Sequence, residues 1–538
     1  MAFRQNTAQQ LSVNDAFLNL SERKRNIVEK SWAKDFSEIV FPAINEERFS
    51  GLYSQNTASR SNTPINIVVG ALMIKSMLHL TDDEMFESIN CDIRFQYALH
   101  TTSFDEQPIS DRTFSRFRER LYNYQLATGE DLLADEMKHL SKVYQDFLDL
   151  HSNIKRMDSM MIATSAKRMS RLEIIYTVNS NAVKYLVCLG MEDHLNKKLM
   201  HYIEPDDINQ VIYHSKDEEV KDKLERAIEE SAILKQIMDN DEMRESQEFQ
   251  LLVRVLNEQT VFDGEAGSYK PKQNKDISSK SLQNPSDEDA TFRMKAGKQN
   301  KGYVGNFVET IDENGRGIIT DFDFQNNIYS DSNFCKDYIN NHDSGEKETL
   351  IADGAYGGDE NVKLAQEKNI ELVTTALVGK TTNEVFSEFQ FSDEGEKVKL
   401  CPAGNEPISS KLNETSGSFR VVMARTCCEN CPNRDKCKAR IQRKTAVVTV
   451  SKKMAERASY VKKLKTECYR KLTHMRNAIE GIPSVLRRKY KVDNSPFRGL
   501  IKTGWTYSLA IGAYNINSLI RYRKREKSVQ MVKLVGNC

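Results

Sequence analysis

Apolar and polar positions follow two rhythms along this chain, and the rhythm changes near residue 150. Before that point the spacing is helical. Ile65-Asn-Ile-Val-Val-Gly-Ala-Leu-Met-Ile-Lys-Ser-Met-Leu is apolar nearly all round, the pattern of a buried helix. Thr81-Asp-Asp-Glu-Met-Phe predicts an N-cap followed by acids in the first turn. Ser110-Asp-Arg-Thr-Phe-Ser-Arg-Phe-Arg-Glu-Arg-Leu starts another helix. Its Phe114, Phe117 and Leu121 share one face, and Arg112, Arg116 and Arg120 recur every four residues on another. Such a basic stripe suits contact with phosphates, and an ordinary surface helix shows the same pattern.

Beyond residue 150, strand signals enter. Ile154-Lys-Arg-Met-Asp-Ser-Met-Met-Ile-Ala-Thr predicts a strand with an acid, Asp158, in its middle. A helical, acid-rich stretch runs from there to about Ser268, and Ser268–Asp289 reads as a loop or linker. Gly302-Tyr-Val-Gly-Asn-Phe-Val-Glu-Thr and Gly317-Ile-Ile-Thr-Asp-Phe-Asp-Phe predict two strands joined by a hairpin at Asp312-Glu-Asn-Gly-Arg. A strand from Glu348 ends in Asp353 and a glycine. A helix over Glu360–Lys368, a strand over Ile370–Leu377 and a helical region over about Ala455–Arg525 follow. The order strand, hairpin, strand, helix, strand predicts a mixed α/β sheet domain.

Length, 538 residues, suggests about three domains. The balance of 77 basic and 77 acidic residues conceals a strong segregation. Glu204–Glu265 holds 18 acidic and 7 basic residues, whereas Arg434–Lys527 holds 26 basic and 6 acidic. A basic stretch that dense is the electrostatic footprint of a polyanion partner, unless the acidic block shields it. No apolar run approaches the roughly 18 residues of a membrane-spanning helix, so no membrane partner is expected. The N-terminus does not read as a signal peptide, and ten cysteines are too sparse for a disulfide scaffold. The expectation is a cytoplasmic, nucleoid-associated protein with reduced thiols.

Two sets of residues carry candidate chemistry. The first is acidic. Asp158 interrupts an apolar strand, and Asp353 ends one, where ligand sites gather in α/β sheets. A buried carboxylate needs a metal or a cationic partner, and two or three converging carboxylates suit Mg²⁺ or Mn²⁺. A loop-capping or arginine-paired Asp is the alternative. Downstream, Thr473, Arg476 and Glu480 are spaced to share one helical face, with Arg487 seven residues further on. Gly481 and Pro483 predict a break just after Glu480. An acid flanked by arginines suits a metal site gripping a nucleic-acid backbone.

In these pieces, taken in order, the chain resembles the bacterial insertion-sequence transposases with a DDE triad on an RNase H-like fold. The resemblance rests on Ser110-Asp-Arg-Thr-Phe-Ser-Arg-Phe-Arg, Asp158-Ser-Met-Met-Ile-Ala, Asp287-Glu-Asp-Ala-Thr, Gly302-Tyr-Val-Gly-Asn and Ala352-Asp-Gly-Ala-Tyr. It continues through Arg476-Asn-Ala-Ile-Glu-Gly, Phe497-Arg-Gly-Leu-Ile-Lys and Ala510-Ile-Gly-Ala-Tyr-Asn-Ile. It implies Asp158, Asp353 and Glu480 as catalytic, metal-binding acids. A Tyr-x2-Arg-x3-Glu-x6-Lys signature is common around the last acid of such enzymes. Here Arg476 and Glu480 match it, Arg487 stands at the lysine position and Thr473 at the tyrosine position.

The second set is Cys401-Pro-Ala-Gly and Cys427-Cys428-Glu-Asn-Cys431-Pro-Asn-Arg-Asp-Lys-Cys437. Cys428-x2-Cys431 has knuckle spacing, and with Cys401 and Cys437 it supplies four thiolates for a structural Zn²⁺. Cys427 could replace Cys428, and five reduced thiols that bind nothing is the other reading. A branch of the same transposases carries a similar cysteine segment between the second Asp and the Glu.

Together these readings imply an N-terminal helical DNA-binding domain (1–150) and an RNase H-like catalytic core (151–400) with an acidic helical insert at about 178–268. A cysteine-rich segment (401–440), a basic helical part carrying the Glu (441–528) and a tail (529–538) complete the expected organisation. The expected activity is divalent-metal-dependent cleavage at transposon ends and strand transfer into target DNA. Arg112, Arg116, Arg120, Arg476 and Arg487 would contact terminal inverted repeats and target DNA, in a homodimer. A related metal-dependent nuclease and a non-catalytic DNA-binding derivative are the alternatives.

Overall fold

The apolar run at Ile65–Leu78 forms a helix in the computed structural model, which describes residues 1–6, 15–54, 56, 58–213, 217–265, 267–295, 297–342, 345, 347–375, 382–392 and 396–536. Its side chains are buried from Ile65 to Ile74, and it stops at His79, whose φ of 60° no helix continues. The next helix, Asp82–Cys91, starts as its sequence predicts. Thr81 Oγ1 accepts from the Glu84 N–H at 3.1 Å, and Glu84 Oε2 accepts from the Thr81 N–H at 2.7 Å. The Thr113–Thr128 helix buries Phe114, Phe117 and Leu121 and ends at Gly129, whose φ is 78°. Arg112 lies one residue before this helix, so the arginine stripe begins outside it.

Five strands position the acids: β1 (Ile154–Ala163), β2 (Lys298–Ile311), β3 (Gly317–Asn326), β4 (Glu348–Ala352) and β5 (Ile370–Thr374). They are divided between two units. One comprises Met1–His151, Ser159–Ser330 and Pro483–Cys538, and the other Ser152–Asp158 and Asp331–Ile482. Strand β1 gives its second half to the first unit and its first half to the second.

In the first unit β2 and β3 form the predicted hairpin, antiparallel from Tyr303↔Asn326 to Ile311↔Gly317. β1 neighbours β2, and the two backbones approach closely at Gly302. A Cβ there would lie 2.3 Å from the Ile162 carbonyl oxygen, and φ is 139°, so only glycine fits. Gly305 is needed for a different reason. A Cβ on it would meet the Tyr507 ring at 2.5 Å, and the Tyr507 hydroxyl donates to the Asn306 carbonyl at 2.9 Å. Tyr507 belongs to a long helix, Leu500–Gly536, that covers this sheet. Asn515 of the same helix donates to the Ile319 carbonyl (2.7 Å) and Ser141 Oγ (3.0 Å) and accepts from the Ile319 N–H (2.9 Å). Its buried amide thus satisfies a strand edge that would otherwise be orphaned. Trp505 is core, donating to Gln125 at 2.9 Å.

The acid-rich stretch forms helices, among them Arg171–Cys188, Asp217–Met238 and Gln247–Gln259, around an apolar core of their own that includes Ile175, Ile228 and Leu252. The loop expected from Ser268 instead opens with a strand, Ser268–Pro271, paired antiparallel to Thr260–Asp263. Tyr269 across from Phe262 compensates for the turn-like composition, an aromatic cross-strand pair.

In the second unit β4 lies between β1 and β5, parallel to both. Of the predicted strand at 370–377, residues 370–374 form β5, and 376–377 lie outside the described residues. A separate four-stranded sheet includes Ser418–Ala424 and Thr445–Val450. Phe419, Val421 and Met423 alternate inward against Ala446, Val448 and Val450 to make its core. The helix at Leu500–Gly536 runs through most of the expected tail, of which 537–538 lie outside the described residues. No single helix among the described residues is long and apolar enough to cross a membrane.

Candidate active site

The first two acids stand on or beside neighbouring strands. β1 pairs with β4 at Ile154↔Thr349, Lys155↔Leu350 and Arg156↔Ile351. Asp158 lies in β1 two residues beyond the last of these pairs, and Asp353 is the residue that follows β4. Asp353 follows β4 and caps a short turn. Its Oδ1 accepts from the Gly354 N–H at 2.6 Å and from the Thr375 hydroxyl at 3.1 Å. The capping role of the alternative reading is therefore present, yet 52% of the side chain remains exposed.

Glu480 arrives from the helix Glu467–Asn477 through a 3₁₀ turn, Ala478–Glu480. The expected break thus falls at Glu480 itself, and Gly481 opens a new helix, Gly481–Arg488, that contains Pro483. Proline is tolerated in a first turn, where its missing N–H has no intrahelical partner. Arg476 faces Glu480 as the four-residue spacing predicts, with Nη1 3.4 Å from Glu480 Oε1. Its Nη2 lies 3.9 Å from Asp353 Oδ2. One guanidinium, 13% exposed, therefore stands between two carboxylates that are each at least half exposed. The cation answers their mutual repulsion, and its buried Nε has no hydrogen-bond partner. Thr473 turns away, donating to the Arg470 carbonyl at 3.0 Å.

Arg156 was not among the candidates. It is buried in β1, two residues before Asp158, and donates from Nη1 to the Met475 carbonyl at 2.6 Å. That bond ties down the end of the helix immediately before Arg476. The signal in the sequence was an arginine two residues before the acid in the same strand.

The remaining candidates lie elsewhere. Arg487 belongs to the first unit. There it pairs with Asp493 (3.1 Å) and donates to the Met161 carbonyl (2.6 Å). Arg112 and Arg116 are exposed, and Arg120 stacks on the Tyr53 ring at 4.7 Å.

Cys401, Cys427, Cys428, Cys431 and Cys437 line one small cavity of about 20 Å³. Burial, reinforced by the neighbouring thiols, pushes the Cys428 thiol up and the Cys437 thiol up to about 11. All five are free of disulfides. Among the described residues, however, no three His, Cys, Asp or Glu side chains are arranged to hold a metal ion, at the cysteines or at the acids.

Two family profiles match the chain. Residues 25–120 match a "Transposase domain (DUF772)" and residues 400–520 a "Transposase DDE domain". The second match includes the cysteines, Arg476, Glu480 and Arg487, and the first includes Arg112, Arg116 and Arg120. No curated protein and no solved structure matches.

Proposed function

We propose, from the premise that this chain is a DDE transposase of the insertion-sequence kind, that Asp158, Asp353 and Glu480 are its catalytic acids. Transposases act on DNA, and a DDE domain implies use of a divalent metal. The observation that supports the assignment is Arg476, which lies 3.9 Å from Asp353 and 3.4 Å from Glu480, with Asp158 on the strand that pairs in parallel with the one Asp353 follows.

The donor set fits Mg²⁺ or Mn²⁺ in kind. Asp353 and Glu480 are hard, open carboxylates that already share a cation. Bound there, the metal supplies activation of a water or 3′-hydroxyl and stabilisation of the leaving oxygen. The chain's own residues do the positioning. Thr375 and the Gly354 N–H hold the Asp353 carboxylate, and Arg156 fixes the helix end that presents Arg476. Arg476 keeps two carboxylates together and offers its remaining donors to the DNA backbone. Arg487 acts by bracing the end of β1. An RNase H-like core is supported by the chain order: β1, an antiparallel hairpin beside it, then parallel β4 and β5 joined through the helix Asp359–Glu367. The helical N-terminal part would hold the terminal repeats, with two protomers bringing the two ends together.

The test is a plasmid carrying both terminal repeats, incubated with purified protein and Mg²⁺ or Mn²⁺. Cleaved 3′ ends joined to a second DNA are expected. Cleavage without joining would instead assign a nuclease, and DNA binding without cleavage a non-catalytic derivative.

The cysteine cavity supports a structural Zn²⁺ held by Cys401, Cys428, Cys431 and Cys437. Five thiols line it, and a cation among them would offset the burial and mutual repulsion that push Cys428 and Cys437 up. About one zinc per chain is expected in elemental analysis, with chelation lowering the melting temperature. Metal-free protein of unchanged stability would remove the site.

A further inference from the structure

An open cavity of about 180 Å³ in the N-terminal helical region is lined by Tyr53, Arg60, Ser110, Thr113, Arg116 and Arg120, among others. Three arginines line it together with several hydroxyl-bearing residues, and among the described residues no Asp or Glu does. Other arginines of the unit find carboxylates: Arg118 with Asp82, Arg48 with Glu136, Arg523 with Asp35. Among the described residues no ion pair joins Arg60, Arg116 or Arg120 to an acid. The walls are built rather than incidental. The Arg60 carbonyl accepts from the Ala2 N–H at 2.9 Å, and Arg120 stacks on Tyr53 at 4.7 Å. The Ser110 and Thr113 hydroxyls hydrogen-bond to each other at 3.0 Å, and Thr113 Oγ1 also accepts from the Ser110 N–H at 2.9 Å.

A concave, uncompensated cluster of arginines focuses positive potential, and the guanidinium fork matches phosphate oxygens. The volume is below the roughly 300 Å³ at which small-molecule pockets begin, and suits one phosphate group rather than a nucleotide. We propose that this cavity is a phosphate receptor in which Arg60, Arg116 and Arg120 close on a single phosphate. For its source the proposal rests on the transposase reading: the phosphate belongs to the backbone or end of bound DNA. Inorganic phosphate would use the same donors. Arg116 and Arg120 thus work with Arg60, more than fifty residues away, instead of along a flat stripe with Arg112.

The experiment uses the full chain, calorimetric titration with inorganic phosphate at constant ionic strength, and anisotropy with a terminal-repeat duplex. The variant is Arg60→Gln/Arg116→Gln, both side chains exposed and outside the core. The charge-matched control is Arg23→Gln/Lys24→Gln. Phosphate and duplex affinities should each fall at least tenfold in the first variant and hold within twofold in the control. No phosphate binding by the wild type, or equal loss in both variants, overturns the receptor. Loss of phosphate binding with unchanged duplex affinity keeps the cradle and overturns DNA as its source. Absence of metal-dependent cleavage would sink the transposase reading while leaving the phosphate titration as it stands.

Discussion

Asp353→Asn is expected to lower metal-dependent cleavage of terminal-repeat DNA by about 10³-fold, while leaving the protein folded and able to bind DNA. A loss of that size corresponds to about 4 kcal/mol of transition-state stabilisation. The substitution isolates charge from shape. Asparagine can still accept from the Gly354 N–H and the Thr375 hydroxyl, so the turn after β4 keeps its cap. What disappears is the negative charge that a divalent ion requires and that Arg476 answers from 3.9 Å. Because the side chain is half exposed, the melting curve should move by no more than about 0.5 kcal/mol. The measurement is single-turnover cleavage in Mg²⁺, paired with duplex affinity and a thermal melt. Cleavage within tenfold of wild type would show that Asp353 holds no metal in the reaction.

Arg48→Ala should produce the largest loss of stability, about 3–5 kcal/mol, by stranding a buried charge. Glu136 is fully buried, accepting from the Asn45 N–H at 2.8 Å and Arg48 Nε at 2.9 Å. Burial raises its carboxyl above the usual carboxylate range, against the pull of Asn45, Arg48 and His139. A raised carboxyl favours the protonated fold, so its contribution is full below the unfolded value and declines as pH rises through the folded one. Without Arg48 the folded value climbs further and the decline reaches to higher pH. Urea melts should therefore show a smaller deficit near pH 5 than near pH 8. A deficit below about 1 kcal/mol, or one that does not change with pH, would contradict this account.

Much of the site was legible because its chemistry violates local pattern. Asp158 stands out as an acid in an apolar strand, and Asp353 as an acid where a strand stops. Arg476 and Glu480 meet because helical spacing is a local rule. Register is not local. Nothing within either strand states that Arg156 pairs with Ile351, since that depends on pairing across nearly two hundred residues. Gly302 and Gly305 could be quoted as letters of a motif, but their reasons sit in the Ile162 carbonyl and the Tyr507 ring. Arg487 shows what spacing leaves out. Its distance from Glu480 suggested a phosphate ligand, and nothing in that spacing announced that Nε would meet Asp493 and Nη2 the Met161 carbonyl. Arg156 was passed over because a lone arginine in a strand has no motif, although its reach to Met475 is what a buried cation needs. For the cysteines, spacing located one cavity without giving ligand distances.

The division of β1 between two units has a consequence in time. Asp158 leaves the ribosome more than three hundred residues ahead of Glu480, and the helix bearing Trp505, Tyr507 and Asn515 comes later still. At about 5–20 residues per second, the nascent chain spends tens of seconds with one acid made and its partners absent. During that interval the N-terminal helices also lack the segment that buries them. All three candidate acids exist only once residue 480 has been made, so a chain interrupted before it carries Arg60, Arg116 and Arg120 without the complete proposed set.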